Sequence, residues 1–320
     1  MKEICVFPIL CTYKNFLNID IIYLQNIKKV TIGGSKMAIQ TIGIVGAGSM
    51  GSGIANLAAL HGFTVILHDI EERYLDSAMQ RMNGFMTKSA TRGKMTEEDK
   101  QEALNRIQMT TNLEDMKDAD VIIEAVLEKL ELKREVFAAL DRIVPEGVIL
   151  ATNTSSMSIT EIASATNRPE RVAGMHFFNP AQLMKLVEVV RGYKTSDETV
   201  EELKALSKRL SKEPVEVKKD SPGFIVNRIM IPQFIEAIKL LEDGVASAED
   251  IDKAVTLGLN YPMGPFTLQD FAGVDIGYHV MEYFKEELNN DQYAPPLLLK
   301  QLVRAGRHGK KTGAGFYDYE

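Results

Sequence analysis

Apolar runs separated by helical patterns fill the chain as far as about residue 220. TIGIV at Thr41–Val45 is short, β-branched and apolar, as a strand buried on both faces must be. TVILHD, VIIEAV (121–126) and VILATNTS (148–155) repeat that character. RVAGMHFF, LVEVVRG and PVEVKKD follow as further predicted strands. Strands alternating with helices predict an α/β fold: a doubly wound, mainly parallel sheet of the Rossmann type. The polar stretch from about Glu71 to Ile107 carries alternating charge and is expected to form a helical arm standing off that sheet.

The period changes at DSPGFIVNR. From Pro222 onward apolar residues recur at helical spacing, with Pro232 as an expected kink. Ser247 to Asp250 reads as a helix-capping signal. Thr267 to Asp270 reads as another, for a helix running to about Asn289. The expected organisation is a first domain over 37–221 and a smaller all-α domain over 222–320. About 100 helical residues are few to bury their own apolar surface, so the second domain is expected to pack on the first, on a second copy, or both.

Composition narrows the class. With 45% hydrophobic and 25% charged residues, the chain has the mix of a globular protein. Its net charge of −7 argues against nucleic acid as a partner, and an anionic ligand would need a local basic patch. No apolar run reaches the roughly 18 residues of a membrane span. No His/Cys/Asp cluster has metal-ligand spacing, so no metal is expected.

The chemistry begins after Val45. Gly46-Ala47-Gly48-Ser49-Met50-Gly51 leads into the helical pattern SGIANLAALHG. Gly46 permits a tight turn, Gly48 lets a pyrophosphate approach the backbone, and Gly51 lets helix and strand pack closely. Unpaired amides at the helix start then attract phosphate. Asp69 closes the next strand 18 residues beyond Gly51, where its carboxylate can bond the adenine ribose hydroxyls. It argues for NAD, because a 2′-phosphate would meet a like charge.

Polar residues cluster past the later strands, where doubly wound sheets bind ligands. Asn153, Ser155 and Ser156 follow one strand, and His176 and Asn179 follow the next. Glu188 lies in LVEVV, where a return after Pro180 would bring it beside His176. Oxidising an alcohol with NAD releases a hydride and a proton, and histidine suits the proton. Read singly, His176 is more often a hydrogen-bonded core residue, and NTSS a helix cap. A carboxylate inside an apolar strand is harder to explain without a partner.

These segments resemble the 3-hydroxyacyl-CoA dehydrogenase family, nearest its bacterial 3-hydroxybutyryl-CoA branch, from about residue 40 to 320. The resemblance rests on GAGSMGSGIA, VIIEAVLEKLELK, ATNTSSMSIT, GMHFFNPAQLMKLVEVV, DSPGFIVNRI, NYPMGPFTLQDFAGVDI and GKKTGAGFYDY. It implies His176 as catalytic base, Glu188 as its partner, and Ser155 and Asn227 holding the substrate oxygen and His176. It places Glu128, Lys133, Asn179 and Lys311 on NAD, with Ser155 beside them. Read alone, Lys133 and Lys311 are ordinary surface lysines. Lys88 and Arg92 match positions facing the CoA phosphates, although composition alone makes them a solvated helix face. The implied reaction is hydride transfer between an L-3-hydroxyacyl-CoA and NAD. The implied assembly is a homodimer through the helical domain. The competing readings are a dehydrogenase of a CoA-free 3-hydroxy acid and a non-catalytic NAD-binding protein.

Residues 1–36 have no counterpart in that family. Ile, Lys, Asn, Phe and Tyr fill 19 of the 36 positions, and both cysteines, Cys5 and Cys11, lie there. A cysteine-free remainder fits a reducing, cytoplasmic setting. The segment matches neither a secretory signal nor a transit peptide. Its residues are those of A/T-rich codons, and Gly33-Gly34 can be encoded as a ribosome-binding sequence just ahead of Met37. The expectation is a leader outside the native fold, with translation starting at Met37.

Overall fold

The structure, a computed structural model, describes residues 39–319. The leader expected over residues 1–36 lies outside the described residues. Eight strands form one sheet: β1 (Thr41–Val45), β2 (Thr64–His68), β3 (Ile107–Thr110), β4 (Val121–Glu124), β5 (Ile149–Thr152), β6 (Val172–Phe177), β7 (Leu186–Arg191) and β8 (Glu213–Val217). Their order is β3-β2-β1-β4-β5-β6-β7-β8. All neighbours are parallel except β6 and β7. This is the expected Rossmann-type sheet.

Helices α1 (Ser49–Leu60), α2 (Glu72–Thr91), α3 (Glu97–Asn105), α4 (Leu130–Ile143), α5 (Ile159–Ala163) and α6 (Asp197–Arg209) accompany it. Two apolar clusters hold them, one including Ile42, Ile54, Leu67 and Met175, the other Ile122, Phe137, Leu150 and Ile159. α2 is not a free arm. Leu75, Ala78, Met82 and Met86, three and four residues apart, form a buried stripe, and Asn56 of α1 donates to Met82 O at 3.2 Å. The stretch also ends differently from expectation, because Ile107–Thr110 is the edge strand β3, short and only partly buried.

The remaining residues form α7 (Val226–Glu242), α8 (Ala248–Gly258), α9 (Pro265–Ala272), α10 (Val274–Leu288) and α11 (Leu297–Arg304) around a third cluster that includes Phe266, Met281 and Phe284. Pro232 lies inside α7. Ser247 caps α8 by accepting from Asp250 N, as its sequence suggests. The predicted long helix is instead two. Pro265 takes the first position of α9, and the chain breaks at Gly273, whose φ of +112° suits glycine. Thr267 is therefore not its cap. Asp252 of α8 accepts from the Phe266 and Thr267 amides, a cap supplied by the preceding helix.

Candidate active site

β6 and β7 meet antiparallel with His176 directly opposite Glu188. The chain returns between them through a turn in which Leu183 and Met184 both donate to Pro180 O at 3.0 Å. His176 Nδ1 lies 2.8 Å from Glu188 Oε2, and both side chains are buried. An ionised carboxylate only accepts, so Nδ1 is the donor of this bond, and in the neutral ring Nε2 then presents a lone pair. The rings of Phe178 and Phe224 flank the imidazole at centroid distances of 4.4 and 5.6 Å. Glu188 Oε1 accepts from Ile225 N at 3.1 Å and Val226 N at 3.0 Å. One carboxylate thus orients the histidine and receives the start of α7. The chain enters α7 through Gly223 and Phe224, both at positive φ. A Cβ on Gly223 would sit 2.0 Å from Phe284, so the approach of α10 requires glycine there.

A second group forms beyond β4 and β5. Glu124, fully buried, accepts from Lys133 Nζ at 2.8 Å, Thr152 Oγ1 at 2.7 Å and Val126 N at 2.7 Å. Lys133 also pairs with Glu128 at 3.1 Å. Glu128 accepts from Thr154 Oγ1 at 2.5 Å and Ser155 N at 3.0 Å. Burial alone would raise the Glu128 carboxyl, but the Lys133 ammonium, the Thr154 hydroxyl and the Ser155 amide hold it below its ordinary value. Burial likewise opposes the charge of Lys133, yet Glu124 and Glu128 keep its pKa raised. Lys133 is therefore no surface lysine. Asn227 Nδ2 donates to Ser155 O at 3.2 Å, so the first turn of α7 touches both groups. Asn153 Oδ1 accepts from Phe177 N at 2.9 Å and ties the end of β5 to that of β6. Ser155 and Ser156 do not cap a helix; Ser158 caps α5.

The glycine loop follows β1. Gly46 has a φ of +104°, and a Cβ there would meet Ala125 O at 2.5 Å. A Cβ on Gly51 would meet Gly46 O at 1.7 Å, so loop and helix pack backbone to backbone. Gly48 instead faces open space. No side chain caps α1, and its first backbone bond is Ser52 N to Gly48 O, which leaves the Ser49, Met50 and Gly51 amides for a ligand. Asp69 Oδ2 accepts from Ala47 N at 2.7 Å, fixing the carboxylate beside the loop. The open face at Gly48, the uncapped helix and the adjacent carboxylate fit a dinucleotide.

Other expected residues stand apart. Lys88 and Arg92 are exposed near the end of α2. Lys311 is exposed and pairs with Asp275 at 2.6 Å rather than with the Glu128 group. Asn179 is exposed beside the turn. Among the described residues, no group of three His, Cys, Asp or Glu side chains is arranged to hold a metal ion. Glu124 and Thr154 escaped the sequence reading. Glu124 carried a usable signal, since VIIEAV holds a carboxylate in an apolar strand just as LVEVV does.

A glycine loop opening a mainly parallel sheet, with a histidine–carboxylate pair near the strand ends, defines a dinucleotide-dependent oxidoreductase. The chain belongs to the 3-hydroxyacyl-CoA dehydrogenase family. Residues 41–221 match the family model "3-hydroxyacyl-CoA dehydrogenase, NAD binding domain", and 223–319 match "3-hydroxyacyl-CoA dehydrogenase, C-terminal domain". A probable 3-hydroxybutyryl-CoA dehydrogenase of Bacillus subtilis is 47% identical over 284 residues, 89% of this chain and 99% of that protein. A 3-hydroxybutyryl-CoA dehydrogenase of Clostridioides difficile is 47% identical over 278 residues, 87% of this chain and 99% of that protein. The crystal structure of (S)-3-hydroxybutyryl-CoA dehydrogenase from Ralstonia eutropha superposes with a TM-score of 0.86 at 44% identity, covering 88% of this chain and all of that one. The enzyme is an NAD-dependent 3-hydroxyacyl-CoA dehydrogenase.

Proposed function

We propose that the chain interconverts L-3-hydroxybutyryl-CoA and acetoacetyl-CoA, with His176 as the base, in the fatty-acid or butanoate metabolism of a bacterial cytoplasm. The observation that carries this reading is the buried pair of His176 Nδ1 and Glu188 Oε2 at 2.8 Å. Glu188 holds the tautomer in which Nε2 is bare, and Nε2 takes the proton of the C3 hydroxyl. The Ser155 hydroxyl and the Asn227 amide hydrogen-bond the substrate oxygen and limit its rotation. NAD, when bound, supplies the hydride acceptor. Gly46, Gly48, Ser49, Met50 and Gly51 receive its pyrophosphate, and Asp69 its adenine ribose. Glu128, Lys133, Asn179 and Lys311 are further contacts to NAD. Lys88 and Arg92 are the basic patch that an acidic protein offers to CoA phosphates.

Residues 37–221 form the NAD-binding domain, and 222–320 the substrate and dimerisation domain. Val245, Leu257, Leu259, Phe271 and Ile276 are exposed on the latter, which supports a homodimer there. Among the described residues no helix is long and apolar enough to cross a membrane.

Loss of NADH absorbance with acetoacetyl-CoA, set against acetoacetate and longer 3-ketoacyl-CoAs, tests the reading. Turnover is expected with the CoA ester and highest at the four-carbon chain. Turnover on the free acid alone, or with no substrate at all, would contradict it.

A further inference from the structure

We propose that Arg81 is a further cofactor-binding residue, a brace that sets the phosphate loop and presents its charge to the NAD pyrophosphate. Arg81 projects from α2 onto the loop. Its Nη2 donates to Ala47 O at 2.6 Å and its Nε to Ser52 Oγ at 3.2 Å. Nη1 donates to Ser77 Oγ, one turn back on α2, at 2.6 Å. Ser52 Oγ passes the contact on by donating to Gly48 O at 2.7 Å. The guanidinium therefore grips the loop on both sides of Gly48. Asp69 accepts from Ala47 N, so a carboxylate holds the Ala47 amide and a guanidinium its carbonyl.

Two consequences follow. The first is electrostatic. Asp69 brings a negative charge to the loop that an incoming pyrophosphate must approach. Arg81 is the one basic side chain hydrogen-bonded to residues 46–52 among the described residues, and it offsets that charge. The second concerns donors. A guanidinium has five N–H groups in a fixed fork, three are engaged here, and two remain for phosphate oxygens. The docking of α2 does not depend on the fork. The buried stripe of Leu75, Ala78, Met82 and Met86 and the Asn56 bond to Met82 O hold it independently.

The proposal rests on the loop receiving the pyrophosphate. Its test is the affinity of the full chain and of Arg81→Met and Arg81→Lys for NADH, ADP-ribose and adenosine, by fluorescence titration and competition. Hydrogen bonds to charged groups are worth enough that Arg81→Met is expected to weaken NADH and ADP-ribose about tenfold. Adenosine, which lacks phosphate, should change less than about twofold, and added salt should narrow the gap between variant and parent. Arg81→Lys keeps the charge without the fork and should fall between. Equal losses for all three ligands would make Arg81 merely structural, and unchanged NADH affinity would remove its role; either overturns the proposal. Should Arg81→Met fail to fold, Arg81→Lys decides by the same comparison. If the parent chain binds ADP-ribose no better than adenosine, it is the assignment of the loop that fails.

Discussion

Glu188 holds His176 through Oε2 and the N-terminus of α7 through Oε1. The catalytic candidate and the joint between the sheet and the helical residues therefore share one carboxylate. Domain movement about that joint would be felt at the imidazole. Glu188→Gln separates the two duties. Its carbonyl can still accept from Ile225 and Val226, but its amide then faces Nδ1 and forces the proton onto Nε2. We expect kcat to fall by roughly 10²–10⁴-fold, the usual worth of acid–base catalysis, with NADH affinity kept. Titration of NADH beside steady-state rates checks this, and a variant with near-parental kcat would refute it.

Lys133 stands between two carboxylates, one of them without solvent contact. Lys133→Met leaves Glu124 buried without its cation. Breaking a buried pair from one side costs about 3–5 kcal/mol. Chemical denaturation should show that loss, and Glu124→Gln added to Lys133→Met should recover part of it. A loss under about 1 kcal/mol would mean that the pair is not the buried unit described.

Much of this was legible in the sequence. The strand patterns, the glycine loop and the pairing of His176 with Glu188 all follow from short-range signals: strand period, spacing and one polar residue in an apolar run. What stayed hidden depends on distant partners. Lys133 looks like a surface residue until β4 brings Glu124 beneath it. Thr267 looks like a cap until Asp252 arrives from α8. The strand at Ile107–Thr110 is short, half-exposed and follows a charged helix, so no period marks it. The joint of α7 to Glu188 joins residues far apart in sequence, which no local pattern announces.

The Glu128 carboxyl gives a pH signature. Burial raises it, but Lys133, Thr154 and Ser155 outweigh burial and hold it below the ordinary glutamate value of 4.5. A carboxyl lowered on folding contributes stability above its unfolded value, and that contribution is lost as pH falls through the folded value. Melting curves of the parent and Glu128→Gln should therefore stand apart at neutral pH and converge below about pH 4.5. A gap that widened in acid would contradict the assignment.

Asp69 both fixes Ala47 N and lies where the adenine ribose is expected. Asp69→Ala should weaken NAD about tenfold or more, from the loss of hydrogen bonds to a charged group, and narrow the preference over NADP. Catalytic efficiencies with both cofactors check it; a parent enzyme using NAD and NADP equally well would oppose it.

If His176 moves the proton and the glycine loop binds the cofactor, the two tasks are separable. The most direct measurement is single-turnover NADH oxidation by His176→Gln with saturating acetoacetyl-CoA, beside NADH binding to the same protein. A rate lowered by roughly 10²–10⁴-fold with unchanged NADH affinity is expected. A variant that oxidises NADH at nearly the parental rate would contradict it.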